Sequence, residues 1–357
     1  IQQIFDNITA NPHNFKATNP GDVVQYIAAH DNLTLHDVIA HSIKKDPEFH
    51  QEEIHKRIRL GNAMVLTAQG TAFLHAGQEF GRTKQFRADT DEAPYKSTYM
   101  TDEEGNPFVY PYFIHDSYDS SDAINMIDWQ KATNEELYPI NHMTKEYTKG
   151  LIQLRRSTDA FRLGTMDEIN EKVKLIQAPE IEDDDLIIGY QTTSSNGVED
   201  YYVFINADDK ERTLTLTDID LTEGEVIVDG KEAGVEEILT PTGLELASNQ
   251  LIIDPLTAAV IKITHASEPE EPIDPKEPVD PEKRDDADPK DDEKGLENDK
   301  IDKDNTTDDD GVELAEDDDK TGQQLPKTAT NSYHWLLIGI VTLLGGLIIQ
   351  FGYRRKI

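Results

Sequence analysis

The sequence predicts an α/β portion, then an all-β portion, an acidic spacer and one C-terminal apolar helix. Three observations carry this reading. Two near-continuous apolar runs, VVQYIAA and GTAFLHA, bracket a helical stretch within residues 1–165. Residues 166–265 change to short β-branched runs separated by Gly, Asn and Asp. From 266 to 324 there is no aromatic residue, and then an apolar run extends from Trp335 to Tyr353.

An apolar run without alternation suits a strand covered on both faces, as in a parallel sheet. A helical stretch follows VVQYIAA from Leu33, and in EEIHKRIRLGNAMVLTAQG the pairs Ile54 with Ile58 and Leu60 with Met64 define a helix face. GTAFLHA comes next, so the order is strand, helix, strand, the unit of a parallel α/β fold. A further helix, TKEYTKGLIQLRRSTDAF, sets Tyr147, Leu151 and Leu154 on one face. The segment between, from Arg82 to Trp129, is too long for a plain connection, and its aromatic residues argue for order.

In residues 166–265 the runs KVKLIQA, DLIIGYQTT, DYYVFINA, RTLTLT, GEVIVDG and AAVIKIT read as strands. YYVFIN and RTLTLT, separated by ADDKE, read as a hairpin, and the overall spacing suggests an antiparallel β-sandwich. No cluster of His, Asp and Ser there suggests catalysis, which leaves structural support as its role.

The formal charge of −37 is unevenly spread: residues 268–320 carry a net −17, and the last 37 residues carry +4 with no acid. Residues 266–324 have little to bury against the entropy of ordering and read as a disordered linker. Pro269, Pro272, Pro275, Pro278 and Pro281 recur at the polyproline II period, which favours an extended spacer. The block TTDDDGVELAED resembles a calcium loop, but Thr306 stands where its first Asp belongs, so it reads as solvated charge. No basic stripe suits a phosphate backbone, which argues against a nucleic-acid partner. Cysteine is absent, which excludes disulfides and thiolate metal sites. The chain opens on IQQIFDN without a methionine and reads as a fragment or a processed product.

Residues 325–357 combine LPKTA, an apolar run from 335 to 353 long enough to cross a bilayer core of ~30 Å, and Arg354, Arg355 and Lys356. This arrangement resembles the cell-wall sorting signal of Gram-positive surface proteins, with Ala329 in place of the usual glycine. The resemblance implies a membrane-held precursor, cleavage by a sortase after Thr328 and covalent attachment to peptidoglycan. The expected location is the cell wall, on the extracellular surface.

Both strand candidates of the first portion finish in polar side chains: His30, Asp31 and Asn32 after the first, His75, Gln78 and Glu79 after the second. Two readings compete for the first group. Asp31 or Asn32 could cap the next helix, with Thr34 and Asp37 spaced as a capping box, or the group could carry chemistry. Metal binding by His30, Asp31, His36 and His41 is a weaker reading, because the spacing matches no standard zinc pattern.

VVQYIAAHDNLTLHD, GTAFLHAGQEFGRTK, DSYDSSDAINMIDW and YTKGLIQLRRSTDAFRLGT, in this order, make residues 1–265 resemble the C-terminal portion of a type I pullulanase. These are debranching enzymes of the alpha-amylase superfamily. The resemblance implies that residues 1–165 are the C-terminal part of a (β/α)8 barrel and residues 166–265 a β-sandwich. The implied reaction is retaining hydrolysis of α-1,6-glucosidic links in pullulan and branched α-glucans such as starch, glycogen and limit dextrins. Asp31 would be the transition-state-stabilising carboxylate at the end of the seventh strand. His30, Asn32, Tyr118 and Asp122 would bind substrate. No segment matches the family's nucleophile or general-acid motif, so both are expected upstream of Ile1 and the isolated chain is expected to be inactive. No cofactor is required, and calcium is left open. The alternatives are another α-glucan hydrolase, such as an isoamylase or an amylopullulanase, or a surface adhesin keeping a barrel remnant as a glucan-binding module.

Overall fold

The computed structural model describes residues 1–266, except Asp89, Asp91 and Ser248. The acidic linker, Thr328 and the expected membrane helix at 335–353 lie outside the described residues, among which no helix is long and apolar enough to cross a membrane.

Helix α1 (Gln2–Ile8) and a single 3-10 turn at Pro20–Asp22 lead into strand β1 (Val24–Gln25). Helix α2 (Leu35–Ile43) starts on Thr34, whose Oγ1 accepts from the Asp37 amide at 3.3 Å. Helix α3 (Pro47–Thr67) starts on Asp46, which accepts from the Glu48 amide, with Pro47 at the first position where a missing N–H costs nothing. Strand β2 (Thr71–Ala72) then returns parallel to β1, with Val24 opposite Thr71 and Gln25 opposite Ala72.

The parallel unit expected from the sequence forms, but its strands hold two residues each, and the expected burial on both faces fails. Val24 is 50% exposed, Tyr26 56%, Ile27 44% and Phe73 41%. Among the described residues β1 and β2 pair only with each other. Beside the pair, Ala28 and Leu35 join Ile54 and Ile58 of α3 in one cluster, and Ala72 packs against another that holds Leu60 and Leu66.

A 3-10 turn at Gln78–Phe80 opens the long middle segment, whose described residues form regular structure as its aromatics suggested. It contains an antiparallel hairpin of β3 (Ser97–Thr101) and β4 (Pro107–Ile114), then two short helices, α4 (Asp122–Asn125) and α5 (Trp129–Thr133). Helix α6 (Pro139–Ser157) buries Tyr147, Leu151 and Leu154, the face read from the sequence.

Helix α7 (Met166–Lys172), with a Thr165–Glu168 capping box, leads into the β-rich portion. Its strands are β5 (Val173–Leu175), β6 (Ile187–Thr193), β7 (Glu199–Asn206), β8 (Arg212–Thr215), β9 (Glu225–Val228), β10 (Leu244–Ala247), β11 (Gln250–Ile253) and β12 (Thr257–Thr264). They form two antiparallel sheets, β5-β6-β7-β12-β9 and β10-β11-β8. Alternate residues of the larger sheet serve two clusters. Ile188, Tyr190, Tyr201, Val203 and Val260 pack with Leu60, Tyr147 and Leu151 of the helices. Ile187, Tyr202, Phe204 and Ile261 pack with Leu214, Leu251 and Ile253 of the smaller sheet. A sheet sandwiched in this way needs apolar residues on both faces, which is why DYYVFIN reads as an almost unbroken apolar run.

The expected YYVFIN–RTLTLT hairpin does not form. β7 pairs with β6 and β12, whereas β8 pairs with β11 in the other sheet. Buried Asn206 turns the chain between the sheets: its Nδ2 donates to the carbonyls of Lys210 at 2.9 Å, Ile253 at 3.3 Å and Asp254 at 2.9 Å. Just beyond, Arg212 holds Asp185 and Asp208 through its guanidinium, and this contact lowers the Asp185 pKa to about 2.

Helix α6 meets the β-rich portion closely at Gly150, where an added Cβ would lie 1.7 Å from the Ala233 carbonyl oxygen. The turn it touches is built on buried Asp229, whose carboxylate accepts from the amides of Lys231, Glu232 and Thr242. One turn earlier in α6 the Tyr147 hydroxyl donates to the Asp229 carbonyl at 3.1 Å.

Candidate active site

Because β1 and β2 are parallel, the segments leaving their C-terminal ends emerge on the same side. The first carries His30, Asp31 and Asn32; the second begins at His75. The His30 charge reaches His75, whose pKa lies below the usual histidine value, first through burial and then through Arg82, Lys84 and His30. The two polar clusters read from the sequence are therefore neighbours.

Thr34 takes the capping role at the head of α2, so neither Asp31 nor Asn32 caps it. The His30 and Asp31 side chains are 85% and 83% exposed, with His30 Nε2 3.5 Å from Asp31 Oδ1. Asn32 adopts φ 62, a left-handed conformation that asparagine tolerates better than most residues. Asp37, the other half of the supposed capping box, is fully buried and does something else. Its Oδ1 accepts from the Thr83 hydroxyl at 2.5 Å and its Oδ2 from the Lys84 amide at 2.8 Å, which clamps the segment after β2 onto α2.

Lys84 itself is only 1% exposed. Its Nζ donates to the Asn32 carbonyl and lies 3.5 Å from Ser117 Oγ. Burial lowers its pKa, while the carboxylates of Asp37, Asp116 and Asp31 oppose that shift. Arg82 reaches the other way. Its guanidinium donates to the carbonyls of Ile124, Asn125 and Met126, so it gathers the end of α4. Gly77 makes room for it, since with φ 93 and Arg82 side-chain atoms 2.6 Å from an ideal Cβ no other residue fits.

The segment carrying Tyr118 and Asp122 is thus held at several points. Lys96 pairs with Asp116 at 2.9 Å, which lowers the Asp116 pKa, and Asn125 Nδ2 donates to the carbonyls of Ser117 and Ser120. Tyr118 is 94% exposed, and Asp122 is exposed at the first position of α4. Lys84 is the link that joins the Asn32 carbonyl to the Ser117 hydroxyl. Thr328 lies outside the described residues.

Beneath these loops, His55 is fully buried, with Nδ1 2.9 Å from Thr144 Oγ1. Burial, then the charges of His36, Arg59 and Lys131, hold its pKa well below the usual value, so it is neutral. Its Cε1 would stand 2.5 Å from a Cβ at Gly81, which has φ 73, so this glycine lets the turn after β2 rest on the imidazole. The metal reading finds no support in the arrangement. His36 is spent on Asp37 at 3.0 Å, and among the described residues no group of three or more His, Asp or Glu is placed to hold an ion.

Lys84 and Arg82 are the residues that sequence reasoning missed, and Asp37 was read only as part of a cap. The only signal was the charged RTK after GQEFG, and a lysine there reads as surface charge rather than as a buried brace.

Comparison with known proteins shows what the chain is similar to. Residues 172–264 match the family described as SpuA C-terminal. Over 293 residues the chain is 50% identical to Pullulanase A of Streptococcus pneumoniae serotype 2, an alignment covering 77% of this chain and 23% of that protein. The chain is a homologue of a streptococcal pullulanase. It spans about a quarter of the length of the curated relatives it matches. Among solved structures, the pullulanase SAP of group B Streptococcus in complex with maltotetraose is 54% identical with TM-score 0.68, over 73% of this chain and 35% of that one. A product complex of SpuA, described as a multi-modular glycogen-degrading pneumococcal virulence factor, is 50% identical with TM-score 0.71, over 74% of this chain and 28% of that one.

Proposed function

We propose that the complete protein is a cell-surface pullulanase, hydrolysing α-1,6 links in pullulan and branched α-glucans, and that this chain supplies part of its active site. The observation that carries the reading is Asp31: an exposed carboxylate beyond the end of a parallel strand, beside His30, with no structural duty because Thr34 caps the helix. The homology to a pullulanase and the likeness to structures named for maltotetraose and glycogen support an α-glucan as substrate.

In this reading β1 and β2 are the last two strands of a (β/α)8 barrel, whose earlier strands would cover Val24, Tyr26, Ile27 and Phe73. The C-terminal strand ends of such a barrel form the active face. A retaining glycosidase needs a nucleophile and a general acid, and it gains several kcal/mol from contacts to sugar hydroxyls that tighten in the oxocarbenium-like transition state. Asp31 supplies such a contact, with His30 beside it, while Asn32, Tyr118 and Asp122 bind neighbouring sugar units. The nucleophile and acid come from the rest of the protein, so purified residues 1–357 hydrolyse no pullulan. Residues 325–357 direct the protein through the membrane to a sortase, which joins Thr328 to peptidoglycan of a Gram-positive wall.

The test is Asp31→Asn in the complete enzyme. Asn keeps the size and most of the polarity, so KM and the melting temperature stay put while kcat falls by several orders of magnitude, as for an interaction made mainly in the transition state. A near-normal kcat overturns the assignment. For the anchoring, Thr328→Ala moves the protein from the muramidase-released wall fraction to the membrane or the medium; an unchanged wall fraction refutes it.

A further inference from the structure

We infer that Lys84 is a positioning residue for the candidate active site, holding the loop that presents Asp31; the inference rests on the reading of Asp31 given above. Three observations combine. First, the Lys84 side chain is almost wholly buried although its Nζ carries a charge, a placement that costs free energy unless the ammonium is hydrogen-bonded or paired. Second, that ammonium donates to the carbonyl of Asn32, the residue directly after Asp31, and also approaches Ser117 Oγ at 3.5 Å beside Tyr118. Third, the Lys84 backbone is fixed independently. Its amide donates to buried Asp37 on α2, and its carbonyl accepts from the Ile114 amide of β4 at 3.0 Å. The lysine is therefore a strut with a rigid base, whose tip holds the Asn32 carbonyl and also approaches Ser117 Oγ.

What the tip holds is a short turn with no other support of its kind. Asn32 has φ 62, a conformation of higher energy for a non-glycine residue, and Asp31 and His30 are exposed. Among the described residues, no other side chain hydrogen-bonds the backbone of residues 30–32. The carboxylates of Asp37, Asp116 and Asp31 lie within electrostatic reach of the Lys84 ammonium and oppose the lowering of its pKa by burial and by Arg82. Without the amine, the turn relaxes and the Asp31 carboxylate leaves the place where a sugar hydroxyl would meet it. Misplacement by about 1 Å costs on the order of 100-fold in rate.

The experiment is a double-mutant cycle in the complete enzyme, with Lys84→Met, Asp31→Asn and the pair. Methionine fills the channel of the lysine stem and removes only the ammonium. The expected result is a kcat on pullulan lowered on the order of 100-fold with KM within about twofold, and a double variant no slower than Asp31→Asn alone, since the lysine acts through Asp31. A Lys84→Met enzyme with normal kcat, or a double variant that loses the product of the two single effects, overturns the inference. Should Lys84→Met fail to fold, Lys84→Gln takes its place, with a neutral donor too short to reach Asn32 fully, and is judged by the same two criteria. If Asp31→Asn alone keeps full activity, the pullulanase assignment of Asp31 falls, and this inference with it. If Asp31→Asn is inactive and Lys84→Met is normal, only the strut is refuted.

Discussion

Strands β1 and β7 are built from the same kinds of residue and meet opposite fates. In β7, Tyr201, Tyr202, Val203 and Phe204 are 2%, 8%, 0% and 0% exposed, because a helix layer covers one face of the sheet and a second sheet covers the other. In and just after β1, Val24, Tyr26 and Ile27 are 50%, 56% and 44% exposed, because the strand has one two-residue partner. Burial is conferred by neighbours rather than by the residues themselves. A doubly covered strand can be recognised from its apolar run, but whether its covers are present cannot.

The largest test of this contrast is a pair of truncations. Phe204→Ala should destabilise the chain by ~3–5 kcal/mol, since it removes a fully buried ring between two sheets, while Phe73→Ala should cost less than about 1 kcal/mol. Urea denaturation of both variants reads the difference, and equal losses would mean that Phe73 is covered after all.

A second test sets buried polar chemistry against apolar packing. His55 stays neutral in the fold, whereas in the unfolded chain it takes up a proton below about pH 6.5. The folded state therefore loses stability as pH falls below 6.5, by at most about 1.4 kcal/mol per pH unit for this group. His55→Gln should flatten the fall in melting temperature between pH 7 and pH 5, although it lowers the value at pH 7. An unchanged slope would place the titration elsewhere.

The smallest effect separates two neighbours in the loop after β1. Thr34→Ala should cost about 1 kcal/mol through the lost cap, and Asp31→Ala should leave stability within about 0.5 kcal/mol. Thermal melting of both distinguishes a cap from a free carboxylate, and the reverse order would hand the cap back to Asp31.

Much of the helical portion was legible because amphipathic spacing survives tertiary context: Ile54 with Ile58, and Tyr147 with Leu151 and Leu154, are buried as their periodicity requires. Six strand runs of the β-rich portion were visible for a similar reason. β10 and β11 escaped because LELA and QLII are only four residues long and each contains a polar residue, and the register of β11 with β8 is set by residues more than 30 positions away. The false hairpin at 207–211 has the same origin: local sequence encodes a turn, not the sheet to which the next strand belongs. In the candidate site, position along a strand pointed to His30 and Asp31. Asp37 was misread as a cap and Lys84 went unnoticed, because the bonds that define both span 33 to 52 residues of chain.

The contact at Gly150 has an evolutionary corollary. A helix that passes so near the Ala233 carbonyl leaves no space for even a methyl group, and the same helix shares its apolar cluster with the larger sheet. Recombination that exchanged the β-rich portion for an unrelated module would have to reproduce that turn to within a fraction of an ångström. The two portions are therefore expected to be inherited together, and their sequences to drift in step along this seam while the outer strands vary freely.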